Sequence, residues 1–245
     1  MGTHILHGDY RRVLGDVQAD LVVTSPPYNI GSTSPAITGR RKFGGYDPKS
    51  YRSITDYQDQ MREDKYQDSQ IEFLYWCAEH LREGGTVCYN HKPRRRCGRM
   101  IHPLSWIQQC QDLELMEEVI WDRGSTHNHG RKLFWPTTER VYVLKKTGDD
   151  YALDNYRDRG LLFRSDIWKI KPAKANGHNA PFPETLVAQC ILAFTNHGDM
   201  VCDPYLGSGT TAVVAQRLGR NFVGSERLKK YWRQSKKRLE GYHVA

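Results

Sequence analysis

Apolar residues along this chain fall into short runs, separated by polar, glycine-rich or proline-rich stretches. His4-Ile5-Leu6-His7-Gly8-Asp9 opens as a short strand entering a turn, and Ala19-Asp20-Leu21-Val22-Val23 is the compact run of a buried strand. From Gln67 to Arg82, Ile71, Leu74, Tyr75, Ala78 and Leu81 recur at helical spacing, and Gly84-Gly85 is expected to end that helix. Thr86 to Asn90 reads as the next strand and Leu104 to Leu113 as a helix. Glu118 to Trp121 and Arg140 to Leu144 read as the strands of a hairpin. Leu186, Val187, Cys190, Ile191 and Phe194 mark a helix whose first turn suits Pro183. Met200 to Cys202, Thr210 to Leu218 and Asn221 to Gly224 then form a strand–loop–helix–strand unit. Strands alternating with helices predict an α/β fold, a doubly wound and mostly parallel sheet in one domain spanning 1–245.

Two stretches break the alternation. Gly31 to Lys65 is a long, mainly polar stretch, and 30–66 is expected to be a mobile loop insertion, since loops this long are usually functional or disordered. Residues 146–178 show little periodicity and mix charge with Tyr151, Tyr156, Phe163 and Trp168. No apolar run approaches the length of a membrane span, and the N-terminus lacks a signal sequence. The six cysteines form no C-x-x-C pair, which favours a reducing cytoplasm and argues against structural zinc. Thr126-His127-Asn128-His129-Gly130 has no further ligands at a recognised spacing, so no metal site is expected.

Net charge changes the picture. At +8 the chain carries the excess Lys and Arg that a polyanion-binding surface needs, although a generally basic surface would give the same sum. Lys92-Pro93-Arg94-Arg95-Arg96-Cys97-Gly98-Arg99 follows a strand end, where open α/β sheets collect ligands. That placement makes Arg94, Arg95, Arg96 and Arg99 candidates for phosphate contact, with a solvated loop as the competing reading.

Candidate chemistry sits at two further strand ends. Thr24-Ser25-Pro26-Pro27-Tyr28-Asn29 puts two prolines after a buried strand, a stiff turn that presents carbonyls beside an aromatic face. Such a turn suits a planar group bearing an amine; a strand-ending turn with a buried tyrosine would use the same residues. In the last unit Gly207 and Gly209 open the helix and Glu226 closes the second strand, a nucleotide- or nucleoside-binding arrangement in which an acid meets ribose hydroxyls, with a structural αβ turn as the competing reading. The P-loop lysine and the three-glycine fingerprint are missing, which counts against phosphate as the ligand.

The hexapeptide resembles the catalytic motif of the DNA amino-methyltransferases, which methylate N6 of adenine or N4 of cytosine. Asp203-Pro204-Tyr205-Leu206-Gly207-Ser208-Gly209-Thr210-Thr211 resembles their S-adenosylmethionine loop, usually D-P-F-x-G-S-G-T-T. The catalytic motif precedes the cofactor loop, the permuted order of the β group. The resemblance implies a circularly permuted Rossmann-like methyltransferase fold with a seven-stranded sheet and an antiparallel hairpin. It implies S-adenosylmethionine as cofactor and double-stranded DNA as partner; a homodimer and a cognate restriction nuclease stay open. Ser25, Pro26, Pro27 and Tyr28 would be catalytic, with Ser25 and the Pro26 carbonyl on the target amine and Tyr28 stacked on a flipped base.

Asp203, Pro204, Gly207, Ser208, Gly209, Thr210 and Glu226 would hold the cofactor. Asp9 would lie near its adenine, unless it serves only as a turn or helix cap. His178 and Phe182 would line its methionine end, though Asn179 departs from the family's His-Pro segment. Arg40, Arg41 and Lys42, following the catalytic turn, join the DNA-contact candidates, and 146–178 corresponds to a small target-recognition segment. Serine at position 25 favours cytosine N4. Adenine N6, a catalytically silent DNA-binding relative, and methylation of RNA or a protein amide are the alternatives.

Overall fold

Ten strands and six helices are found among the residues that the computed structural model describes, namely 2–30, 61–96, 99–126, 134–150, 164–173 and 182–243. In chain order they are β1 (Thr3–His7), α1 (Tyr10–Val13), β2 (Ala19–Thr24), α2 (Glu63–Glu79), β3 (Leu81–His91), β4 (Arg94–Arg96), β5 (Arg99–Ile101), α3 (Leu104–Ile107), β6 (Leu113–Asp122), β7 (Thr138–Lys146), β8 (Ile167–Lys169), α4 (Glu184–Phe194), β9 (Met200–Asp203), α5 (Thr210–Arg217), β10 (Asn221–Glu226) and α6 (Lys229–His243). Eight strands form one sheet in the order β1-β10-β9-β2-β3-β7-β6-β8, and β4 and β5 pair as a separate antiparallel ribbon. Within the large sheet only β7 runs against the rest, pairing antiparallel with β3 and β6.

The alternation of side chains along the central strands divides the core in two. Val22, Val87, Tyr89, Tyr142, Leu144, Cys202 and Val223 face a layer built from α1, α2 and α3. Their neighbours Leu21, Val23, Cys88, Val141, Val143, Val201 and Phe222 face α4 and α5. Burial on both faces is what makes these strands read as continuous apolar runs. This is the doubly wound architecture expected from the alternation, with the Rossmann-like fold that the resemblance implies. β2 leads to β3 on one side and β9 to β10 on the other, so the switch point lies between β9 and β2, paired at Leu21–Val201 and Val22–Cys202. Ligands of such sheets sit beyond the strand ends at that point.

Several expectations are corrected. The sheet has an eighth strand, β8, lying parallel to β6 at the hairpin edge. Trp168 buries there and Trp121 Nε1 donates to the Ile170 carbonyl at 2.8 Å. The second helix starts at Glu63, inside the stretch read as loop, and ends at Glu79, well before Gly84-Gly85. Those glycines instead form a bulge in β3, where pairing jumps from Ala19–Leu81 to Leu21–Thr86. Gly84 takes a φ of +71°, and a Cβ on Gly85 would lie 2.9 Å from the Arg82 carbonyl. The helix expected over 104–113 is a single turn, because Leu113 is taken up by β6, opposite Lys146. Among the described residues no helix is long and apolar enough to cross a membrane.

Candidate active site

β2 and β9 end side by side, and their ends are bonded. Thr24, fully buried as the last residue of β2, donates from Oγ1 to Asp203 Oδ1 at 2.9 Å. Asp203, the last residue of β9, also accepts from Thr211 Oγ1 at 2.6 Å and from the Tyr205 N–H at 3.1 Å. Burial raises its carboxyl to about 6 despite those bonds, with the Glu226 charge adding to the rise. One carboxylate thus ties the start of the double-proline turn to the loop before α5.

The turn is braced from several sides. Tyr66 donates to the Pro27 carbonyl at 2.9 Å and contacts His91 Nε2 at 2.6 Å. His91 Nδ1 lies 2.8 Å from the Lys92 nitrogen and 2.9 Å from the Lys92 carbonyl, so both ring nitrogens are engaged. Burial and the nearby Arg94 push His91 well below its ordinary pKa, so the ring is neutral. Among the described residues the Pro26 carbonyl has no hydrogen-bond partner. Tyr28 is tethered through its hydroxyl, which lies 2.7 Å from Asn90 Oδ1, 3.0 Å from Glu139 Oε2 and 2.9 Å from Ser25 Oγ. Its ring lies 4.4 Å from that of His91, and Lys92 Nζ is 5.4 Å from the ring centre.

Asn29 ends the turn in the left-handed region, φ +54°, a conformation that asparagine tolerates better than most residues. Its side chain accepts from the Met61 N–H at 2.7 Å and donates to the Met61 carbonyl at 3.0 Å, pinning residue 61 to the turn.

Across the switch point, Gly207 adopts φ +56° and donates its N–H to Glu226 Oε2 at 2.9 Å. Glu226 Oε1 accepts from the Leu228 N–H at 2.6 Å, and the side chain is buried. Asp9 lies on the neighbouring strand end, where the Gly8 N–H bonds the Glu226 carbonyl. Its carboxylate caps α1 through the Arg11 N–H and pairs with the Arg11 guanidinium, which holds it below the usual carboxylate range. Gly209, φ +86°, answers to packing: a Cβ there would lie 2.7 Å from that of Ser235 on α6. The Thr210 hydroxyl accepts from Arg238 Nη1 at 2.8 Å, so it too is engaged with α6.

A pair of loops at a switch point, one rich in glycine and one presenting serine and carbonyl oxygens, is the setting in which the comparisons fall. The family model described as DNA methylase, of the N6/N4 methyltransferase type, matches residues 19–237. This chain belongs to that DNA methylase family. It is similar to the type II methyltransferase M2.DpnII of Streptococcus pneumoniae, 25% identical over 96% of this chain and 89% of the relative. Among solved structures, the cytosine-N4-specific PvuII DNA methyltransferase superposes with a TM-score of 0.72 at 18% identity, covering 100% of this chain and 92% of that one. M1.HpyAVI in complex with SAM superposes with a TM-score of 0.61 at 18% identity, covering 97% and 99%.

In this methylase the basic residues divide by direction. Arg94 points inward, bidentate on Glu63 at 2.7 and 3.0 Å, with its guanidinium over Tyr66 and Trp106. Arg96 reaches the Asn29 carbonyl at 3.1 Å and Glu63 at 3.1 Å. Burial works against the Glu63 charge, yet the bonds from Arg94 and Gln67 keep its carboxyl below the usual range. Arg94 and Arg96 therefore bind Asn29, Met61 and Glu63 to the ribbon, which corrects their reading as open phosphate contacts. Arg95 and Arg99 are exposed. Arg40, Arg41, Lys42 and His178 lie outside the described residues, as do His127 and His129, while Phe182 is half-buried against the α4 side of the core. Ser208 is buried and Pro204 gives its carbonyl to Ser225 Oγ. Sequence reading missed Asn29, Tyr66, Asn90, His91 and Glu139. Only Asn29 carried a local signal, as an asparagine after a stiff turn.

Proposed function

We propose that this DNA methylase is site-specific and moves a methyl group from S-adenosylmethionine to the exocyclic N4 of a cytosine flipped out of duplex DNA. The observation that carries it is the Thr24–Asp203 bond, which holds the serine turn beside the glycine loop at one switch point. S-adenosylmethionine, when bound, supplies a methyl group on a sulfonium that carries its own leaving group. The residues present fit that donor. Gly207 and Glu226 form a backbone-lined cradle in which the carboxylate, accepting the Gly207 and Leu228 N–H groups, stands at the strand end where an acid meets ribose hydroxyls. Asp9 stands on the adjoining strand end, where a carboxylate can accept from an adenine amine. Complexation of M1.HpyAVI with SAM supports the same donor here.

Ser25 Oγ and the Pro26 carbonyl accept hydrogen bonds from the target amine and orient it. An exocyclic amine is a poor nucleophile because its lone pair is delocalised into the ring; two acceptors favour a pyramidal nitrogen and free that pair. Tyr28 bounds the base, and Arg95 and Arg99 meet phosphates. Alignment supplies the acceleration, with no covalent nucleophile required. Serine at position 25 supports cytosine, as does the likeness to a cytosine-N4-specific enzyme. The test is methylation of duplex DNA with labelled S-adenosylmethionine, followed by nucleoside analysis of the digest. N4-methylcytosine is expected; N6-methyladenine alone would overturn the cytosine assignment, and no labelled base would overturn the function.

A further inference from the structure

The hydroxyl of Tyr28 has two proton-free oxygens against it. Asn90 Nδ2 donates to the Arg140 carbonyl at 2.8 Å, which fixes Oδ1 as the atom turned toward Tyr28. Glu139 Oε2 is the second acceptor, while its Oε1 is held by Arg123 Nη1 at 2.9 Å. Tyr28 owns a single proton and both neighbours claim it, so its oxygen is left to accept. The third contact, Ser25 Oγ at 2.9 Å, must then be the donor toward Tyr28. With its proton committed inward, Ser25 presents lone pairs outward.

The geometry points to Glu139 as a positioning residue that acts through Tyr28 to fix the Ser25 hydroxyl as an acceptor and to receive the proton shed by the target amine. This rests on the reading of Ser25 as the group that meets that amine. Once methylated, the nitrogen is cationic and must lose one N–H proton. That N–H bond breaks as an O–H bond forms on Ser25; the Ser25 proton passes to Tyr28 and the Tyr28 proton to Glu139 Oε2. Serine and tyrosine end as they began, the carboxylate ends neutral, and release of its proton to water resets the chain. Burial, with the Glu139 charge adding to it, holds the Tyr28 hydroxyl well above its ordinary pKa, so the phenol relays a proton and does not ionise. The Glu139 side chain is nearly buried, beside an Arg123 that is itself one-fifth exposed, which leaves a short way out to solvent.

The test compares wild type with Glu139→Gln, Tyr28→Phe and the double variant. Glu139→Gln keeps the shape and a partner for Arg123 but offers Tyr28 no anionic acceptor. Each single variant should lose tenfold or more in kcat, with KM for DNA within twofold and S-adenosylmethionine affinity unchanged. The double variant should lose no more than the worse single one. A binding readout accompanies the rates: in the presence of S-adenosylhomocysteine, wild type should prefer a duplex whose target base bears its amine over one with hydrogen there. Both variants should narrow that preference. A folded Glu139→Gln within twofold of wild type, or losses that multiply in the double variant, would sink the relay while leaving the function standing. If Glu139→Gln fails to fold, Tyr28→Phe decides, and full activity there overturns the proposal. A wild type that transfers no methyl group to DNA would overturn the function, and the relay with it.

Discussion

Thr24 Oγ1 and Asp203 Oδ1 meet at 2.9 Å in the buried core, joining residues 179 positions apart in the chain. This bond turns two separate sequence motifs into one site, since Thr24 precedes the serine turn and Asp203 begins the glycine loop. Thr24→Val keeps the shape and removes the donor, leaving a buried carboxylate oxygen short of a partner. Stability should fall by roughly 1–3 kcal/mol, read from urea midpoints, and kcat should drop more than KM because the two halves shift relative to each other. Unchanged stability and rate would mean the two strand ends are positioned by backbone pairing alone.

The same carboxylate sets a pH dependence. Burial pushes the Asp203 carboxyl up to about 6 in the folded chain, from an ordinary 3.8. Between those values the folded chain holds a proton that the unfolded chain has lost. Its contribution to stability is therefore fully present below about pH 4 and lost as pH rises through about 6. Asp203→Asn removes the titration, so wild type minus variant should decline from pH 4 to 7 by roughly 3 kcal/mol. Urea midpoints across that range are the measurement; a flat difference would show that the buried group keeps its ordinary pKa.

The two loop glycines should separate by experiment. Gly209 sits against Ser235, so Gly209→Ala should lower the melting point through strain against α6 and leave donor affinity less affected. Glu226 bonds the Gly207 N–H, so Glu226→Ala should weaken S-adenosylmethionine binding by roughly 1–3 kcal/mol. Calorimetry and melting, run side by side, check both. Equal losses of affinity would place Gly209 at the ligand as well.

What the sequence made legible follows from where each signal resides. Strands β2, β9 and β10 are buried on both faces, so their apolar runs stood out, and the two motifs sit at their ends. Gly84-Gly85 was misread because a β-bulge and a helix stop ask for the same residue. Asn90, His91 and Glu139 lie within strands, where a polar residue breaks the pattern without saying what it meets. Their roles arise from partners across the sheet: Asn90 and Glu139 converge on a tyrosine that precedes them by 62 and 111 positions. Arg94 to Arg96 looked like one basic cluster, but alternation along β4 sends Arg94 and Arg96 inward and Arg95 out.

That alternation supplies the last prediction. Arg95 is exposed on the β4–β5 ribbon and Arg99 is exposed beside it, opposite Arg96 in the register. If they meet phosphates, Arg95→Ala and Arg99→Ala should each lower the slope of log affinity against log salt by about 1, with stability unchanged. Arg94→Ala should do the reverse. It leaves Glu63 with only Arg96 and Gln67, breaks the bidentate pair at 2.7 and 3.0 Å and uncovers Tyr66. The loss should be about 3 kcal/mol or less, below the range for a fully buried pair because the Glu63 side chain is 22% exposed. Its salt slope should match wild type as long as the protein stays folded. Filter binding at several salt concentrations beside urea denaturation makes the comparison. A lower salt slope in Arg94→Ala with unchanged stability would return that residue to the DNA surface and break the link between ribbon alternation and function.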